Sequence, residues 1–438
     1  LRPRVSWTEA QAERKLRSLE LFGMRFGLDR MRRMMTALGS PERRFDAIHV
    51  LGTNGKSSTT RMAAAILEGH GLHVATYLSP HLVSYRERVL IDGCELDTES
   101  FAAAIARASW AAERVNRTLA EDDHVTQFEL LSAAALWEMA RQQVDVAVVE
   151  AGLGGRYDAT SVVESRVTVL TNVGLEHTRW LGPTVKDIAE EKLAVVRPNT
   201  ALVLGEDLAP AALAVAERVA GERDARIVRP ASAAPSATEL RARGSFQRRN
   251  FALARAAAEA YLQAVGIPLR EDAVAQAAAS TDVRGRLQLL EDDPPTVLDG
   301  AHNPDAVAAL VDSLPEVFDA RPPKPLALVL GVLEDKDAAG MLAALMPLVE
   351  RAWFTAPPSS RALSPAALQS LARQLGFEAT ACEPKPARAL EQARRWAAER
   401  GGAVLATGSV YLVGDLLGQL ERFDDVALGA AARGSSAR

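Results

Sequence analysis

The sequence predicts an α/β chain of parallel sheets divided between two domains. Three observations carry this reading. Short apolar runs alternate with alanine-rich helical stretches throughout. The length of 438 residues exceeds the roughly 100–200 that one core usually holds. Finally, Gly52 to Thr59 read GTNGKSST directly after the apolar stretch Ala47 to Leu51, placing a glycine-rich loop between a buried strand and a helix.

The first series of expected strands is Ala47 to Leu51, Val144 to Val149, Val167 to Thr171 and Ala201 to Leu204. A second series is Thr296 to Leu298, Leu326 to Leu330 and Ala403 to Ala406. None alternates with polar residues, so each should be covered on both faces, and the polar residues at the C-terminal ends become the candidates for chemistry. Glu150, Thr171, Asn172, Asp299 and Thr407 occupy that place. Between the two series, Val283 to Pro295 carry a charge cluster and a Pro-Pro pair, so the interdomain connection is expected there, with the boundary near Leu287. The expected organisation is a domain over residues 1–286, a smaller one over 287–424 and a disordered tail over 425–438.

Hydrophobic residues make up 48% of the chain, enough for full burial of two cores, and the net charge of −5 offers no electrostatic reason to expect nucleic acid. Only two cysteines occur, Cys94 and Cys382. They exclude a disulfide framework, fit a reducing cytosol and are expected as buried core thiols. The first twenty residues are too charged for a signal peptide, and no apolar run is long enough to span a membrane. A cytoplasmic monomer without membrane contact is the expectation.

The loop chemistry follows from residue type. Gly52 and Gly55 let backbone N–H groups approach phosphate oxygens without a Cβ in the way, Lys56 supplies a point charge, and the helix beginning near Ser57 turns its positive end toward the anion. The pattern G-x-x-x-x-G-K-[ST] would place glycine at position 50, where this chain has Val50. Gly52, Thr53, Asn54, Gly55, Lys56, Ser57 and Ser58 are the expected nucleotide-binding positions of the loop.

Two further sites are legible from spacing. Thr184 can cap a helix with Asp187 in its first turn, and Val185, Ile188, Ala189, Leu193, Val195 and Val196 form the apolar side on which Lys192 also falls. An inward-pointing ammonium is costly, so the neutral amine is favoured unless an acid such as Glu150 answers it or the side chain snorkels. In the second domain, Asp299 ends a strand, Asn303 caps a helix with Pro304 in its first turn, and His302 is held at the intervening turn.

GTNGK resembles the loop of ATP-dependent murein peptide ligases and of folylpolyglutamate/dihydrofolate synthases. YLSPHL (Tyr77 to Leu82), RERVLIDG (Arg86 to Gly93), TQFE (Thr126 to Glu129) and EAGLGGRYDAT (Glu150 to Thr160) resemble segments of the folate branch. So do GLEHTRWLGPTVKDIAEEK (Gly174 to Lys192), LDGAHNP (Leu298 to Pro304), DKD (Asp335 to Asp337) and TGSVYLVGD (Thr407 to Asp415), all in the family's order. The chain is therefore similar to the bifunctional dihydrofolate synthase/folylpolyglutamate synthase group of the Mur ligase superfamily. That resemblance implies a P-loop ATPase domain of the Mur ligase central type, which also binds the pterin, followed by a smaller Rossmann-like domain that binds glutamate. The implied reaction is ATP-dependent addition of L-glutamate to dihydropteroate or a reduced folate through an acyl phosphate. A related Mur-type amino-acid ligase and a noncatalytic ATP-binding homologue are the alternatives, the latter favoured only by Ser57, where the family has glycine, and Glu176, where it has aspartate.

Residue roles carry over by resemblance alone. Ser79, Glu150 and His177 are the implied magnesium ligands, although His177 read alone is a surface or packed histidine. Lys192 is implied to react with CO2, giving a carbamate that helps hold a second Mg2+. Thr126, Phe128 and Asp158 are implied to cradle the pterin; read alone, Phe128 is core and Asp158 a turn residue. Gln247 and Asn250 resemble the segment closing over adenine. Arg286 is implied to reach a γ-phosphate across the cleft, and Asp299 to contact ATP with help from Lys336 and Asp337. His302 and Ser409 are implied to hold the incoming glutamate. Lys56, Lys192, His177 and Arg286 form the expected catalytic set.

Overall fold

The computed structural model describes residues 7–19, 27–230, 239–290, 293–318 and 324–421; the expected tail at 425–438 lies outside them. The chain forms two compact units, one drawn from Leu1–Arg241 and Gln247–Thr281, the other from Ala242–Phe246 and Asp282–Arg438.

The first unit is built on eight strands: β1 (Asp46–Leu51), β2 (Val74–Tyr77), β3 (Val89–Ile91), β4 (Cys94–Glu95), β5 (Val146–Glu150), β6 (Ser165–Leu170), β7 (Ala201–Leu204) and β8 (Arg226–Val228). They lie in the order β4-β3-β2-β5-β1-β6-β7-β8. The strands β2 through β8 in that row pair in parallel, while β3 runs antiparallel to both β2 and β4. Buried valines, leucines and alanines fill the middle strands, as expected of strands covered on both faces. The topology puts the C-terminal ends of β2, β5, β1 and β6 side by side, and β1 lies between a strand on either side that the chain reaches later. That switch point is where open parallel sheets place ligands.

The second unit holds β9 (Gln288–Leu290), β10 (Thr296–Leu298), β11 (Leu326–Leu330), β12 (Arg351–Phe354), β13 (Thr380–Cys382) and β14 (Ala403–Thr407), in the order β13-β12-β11-β14-β10-β9. All neighbours are parallel except β9, which is antiparallel to β10. Leu328, Leu330, Phe354 and Leu405 join Val307, Leu310 and Leu342 in one core.

Two expectations change here. The stretch Val283 to Pro295, read as a connection, contains β9, because Gln288, Leu289 and Leu290 find ladder partners on β10 that polar composition does not reveal. Cys94 and Cys382 are exposed rather than buried. Each sits on the outermost strand of its sheet, where one flank of the strand has no neighbour. Among the described residues, no helix is long and apolar enough to cross a membrane.

Candidate functional site

The phosphate loop leaves the end of β1 and enters the helix Lys56–Gly69. Gly55, at φ +80°, is the N-cap, and no side chain caps this helix, so its first amides remain available to an anion. Gly52 (φ +151°) cannot be replaced without movement, because a Cβ there would come within 1.8 Å of Thr171 Oγ1. A Cβ on Gly55 would meet Asn250 Oδ1 at 2.4 Å, which sets Asn250 directly against the loop.

Residues just past β6 brace the loop from the other side. Asn172 Oδ1 accepts from the amides of Thr53 (3.1 Å) and Asn54 (2.8 Å), and Thr171 Oγ1 donates to the Asn54 carbonyl at 2.6 Å. The Gly174 amide donates to Thr53 Oγ1 at 3.0 Å. Thr171 and Asn172 were legible as polar residues at a strand end, but their role as a brace depends on β6 lying beside β1.

Lys56 folds over its own loop, its Nζ donating to the carbonyls of Gly52 (3.1 Å) and Thr53 (3.0 Å). Lys192 approaches the same carbonyl from the helix Val185–Leu193, whose N-cap Thr184 and Asp187 form a capping box. Its Nζ donates to Gly52 O at 2.8 Å. The ammonium of Lys192 is buried, and that burial, reinforced by the charge of Lys56, lowers its pKa to about 7, although Glu176, Asp158 and Glu191 pull the other way. Gly155 of the loop after β5 packs on the backbone of Lys192, where a Cβ would meet the Lys192 carbonyl at 2.4 Å.

Glu150 ends β5 with its carboxylate buried. Ser57 Oγ lies 3.0 and 2.9 Å from its two oxygens, and the Ser79 amide donates to Oε2 at 3.1 Å. The segments after β1, β2 and β5 thus converge on one carboxylate. His177 stands beside Glu176, Nε2 3.9 Å from Oε1, at the N-cap of the short helix Thr178–Leu181 with φ +52°. Among the described residues, no group of three or more His, Cys, Asp or Glu side chains forms a metal centre. Ser58 is buried in the first turn of the phosphate-loop helix.

The residues expected at the pterin are engaged in local structure. Thr126 caps the helix Gln127–Gln142 in a box with Glu129, which Arg30 grips through Nε at 3.0 and 3.1 Å. Phe128 lies against the backbone of Gly152, where a Cβ would meet its Cζ at 2.4 Å. Asp158 is buried, accepting from the Leu153 amide (2.7 Å), the Thr160 amide (3.0 Å) and Thr160 Oγ1 (2.5 Å), and burial raises its pKa despite these donors. Thr160 in turn meets His49 Nε2 at 2.8 Å. Gln247 accepts from Asn250 Nδ2 at 2.9 Å, while its own buried Nε2 has no partner among the described residues.

In the second unit, Asp299 follows β10 and accepts from the amides of Leu287 (2.8 Å) and Ala301 (2.7 Å). Burial raises its pKa, opposed by the neighbouring Arg286 guanidinium. Arg286 lies over Gly300, where a Cβ would fall 2.1 Å from Nη1. His302 holds its Nδ1 2.9 Å from the Gly300 carbonyl, and Asn303 caps the helix Pro304–Val317. The Gly408 amide donates to the Ala301 carbonyl at 3.0 Å, drawing the turn before buried Ser409 toward the His302 turn. Asp337 caps the helix Ala338–Leu345, and Lys336 Nζ is 3.6 Å from Asp335.

Both units match known domain families: the Mur ligase middle domain over residues 50–218 and the Mur ligase glutamate ligase domain over 285–410. The chain is 34% identical over 365 residues to the folylpolyglutamate synthase of Lacticaseibacillus casei, covering 78% of this chain and 84% of that protein. It is 30% identical over 429 residues to the dihydrofolate synthase/folylpolyglutamate synthase of Bacillus subtilis, covering 91% and 96%. Among solved structures, Mycobacterium tuberculosis folylpolyglutamate synthase complexed with ADP superimposes with a TM-score of 0.86 at 31% identity, covering 93% of this chain and 97% of that one. Escherichia coli FolC in complex with DHPP and ADP gives 0.82 at 28% identity, covering 97% and 100%. With a phosphate loop braced at the switch point of one sheet and relatives aligned over most of its length, the chain belongs to the dihydrofolate synthase/folylpolyglutamate synthase family of ATP-dependent ligases.

Proposed function

We propose that the protein joins L-glutamate both to dihydropteroate and to reduced folates, with ATP and magnesium. The observation that carries this is the convergence of an uncapped phosphate-loop helix, Lys56, Lys192 and the buried Glu150 at one end of one sheet. Relatives named for both activities support the choice of acceptors.

The donors present suit magnesium. A hard cation that usually takes one or two protein carboxylates, with phosphates and water completing its shell, needs no preformed cluster of acids. Glu150 and Ser79 would hold one ion, with His177 beside them and Lys192, as its carbamate, at a second. When bound, magnesium would neutralise charge on the transferring phosphoryl group.

The remaining work falls to this chain's own groups. Lys56, released from the carbonyls it now contacts, would turn its ammonium to the phosphates, and the first amides of its helix would hold their oxygens. Asn250 sits against the loop and, with Gln247, would serve the nucleotide; Arg286, Asp299 and Lys336 would be further nucleotide contacts. The acceptor ring would rest on Phe128 with Thr126 and Asp158 shaping its pocket. Its carboxylate attacks the γ-phosphate, ADP leaves, and the resulting acyl phosphate is opened by the amine of glutamate, which His302 and Ser409 would hold. The tetrahedral intermediate then expels phosphate and forms the amide. Burial keeps a large fraction of Lys192 as the neutral amine near neutral pH, the form that adds to CO2 with loss of a proton.

Mass spectrometry of products formed from Mg·ATP, L-glutamate and either dihydropteroate or tetrahydrofolate tests the reading. One glutamate added to each acceptor is expected; addition to one alone would restrict the activity, and addition to neither would refute it.

A further inference from the structure

We propose that Ser57 is a positioning residue that sets the orientation of the Glu150 carboxylate; this rests on the reading of Glu150 as a magnesium ligand. The Ser57 hydroxyl reaches both oxygens of Glu150, at 3.0 and 2.9 Å, while the Ser79 amide holds Oε2 from the segment after β2. Glu150 is 2% exposed, so solvent does little to orient it. Two donors from two different segments fix the plane of the carboxylate.

The placement couples two parts of the site. Ser57 is the residue after Lys56 in the first turn of the phosphate-loop helix. The turn that presents the lysine and free amides to phosphate therefore also orients the carboxylate. Outer partners of this kind, which hydrogen-bond a ligating group and hold its rotamer, contribute substantially to metal affinity.

The part of Ser57 in the phosphate loop lies in its main-chain amide, which alanine and glycine retain, so removal of the hydroxyl by Ser57→Ala or Ser57→Gly should weaken metal binding more than nucleotide binding without metal. The measurement is Mn2+ binding to the full chain saturated with ADP, read from the free-ion EPR signal, alongside ADP affinity in EDTA by calorimetry. Ser57→Ala and Ser57→Gly should weaken Mn2+ by about 10- to 100-fold, with a clearly smaller loss of ADP affinity in EDTA and with Ser57→Thr retaining the wild-type Mn2+ affinity. Unchanged Mn2+ affinity in both hydroxyl-free variants overturns the proposal. So does an equal loss of ADP affinity in EDTA, which would assign Ser57 to the shape of the loop. Wild-type protein that binds ADP but no Mn2+ would overturn the underlying metal reading instead.

Discussion

Replacing Gly52 with alanine should cripple nucleotide binding while leaving both sheets folded. The built Cβ falls 1.8 Å from Thr171 Oγ1, and the backbone sits at φ +151°, outside the range an L-residue adopts without strain. Either the loop or Thr171 must move. Strain of this kind costs about 1–3 kcal/mol. Displacing Thr171 also breaks its 2.6 Å hydrogen bond to the Asn54 carbonyl, worth about 1 kcal/mol. Together these shift the loop away from its braced geometry by about 2–4 kcal/mol, which lowers ADP affinity by roughly 30- to 900-fold. Calorimetric titration of ADP reads this directly, with circular dichroism as the check on folding. The account also predicts non-additivity: Thr171→Ala alone should cost about fivefold, but little more in the Gly52→Ala background, because that hydrogen bond is already lost there. Gly52→Ala binding ADP within about threefold of wild type, or full addition of the two costs, would refute this reasoning.

Two other substitutions probe separate parts of the molecule. Gly300→Ala places a Cβ 2.1 Å from Arg286 Nη1 and must displace the guanidinium, so turnover should fall by about 100-fold without loss of secondary structure; activity within about twofold of wild type would show that the position of Arg286 is immaterial. His49→Gln should flatten the acid limb of stability. Burial lowers the His49 pKa from 6.5 to about 3, so the unfolded chain binds a proton that the folded chain refuses; stability is intact above 6.5 and is lost as pH falls toward 3, by an amount on the order of 5 kcal/mol. Denaturant unfolding of the two proteins between pH 7 and 4 should give slopes differing by up to about 1.4 kcal/mol per pH unit, and parallel slopes would refute the assignment.

Local chemistry determined much of what could be read in advance. The phosphate loop, the capped helix that turns Lys192 inward and the Asn303-Pro304 helix start each depend on neighbours a few residues apart, so spacing alone exposes them. The buried strands β1, β5, β6, β7, β10, β11 and β14 were legible for the same reason, their apolar runs being uninterrupted, whereas the equally interior β2 and β12, four residues each with polar or aromatic members, were not. The edges were not: β4, β9 and β13 are short, partly polar and defined by pairing rather than composition, which is also why the exposure of Cys94 and Cys382 went unseen. Tertiary structure alone brought Ser57 and Ser79 to Glu150, set Asn172 and Asn250 against the loop, and joined Arg30 to Glu129 across 99 residues of sequence. These contacts join side chains from separate strands and loops, and nothing in local propensity encodes which strand end lies beside which. By itself, the sequence determined the kind of chemistry through residue types and short spacings; strand order decided which groups meet, because only the folded sheet brings distant strand ends within hydrogen-bonding distance.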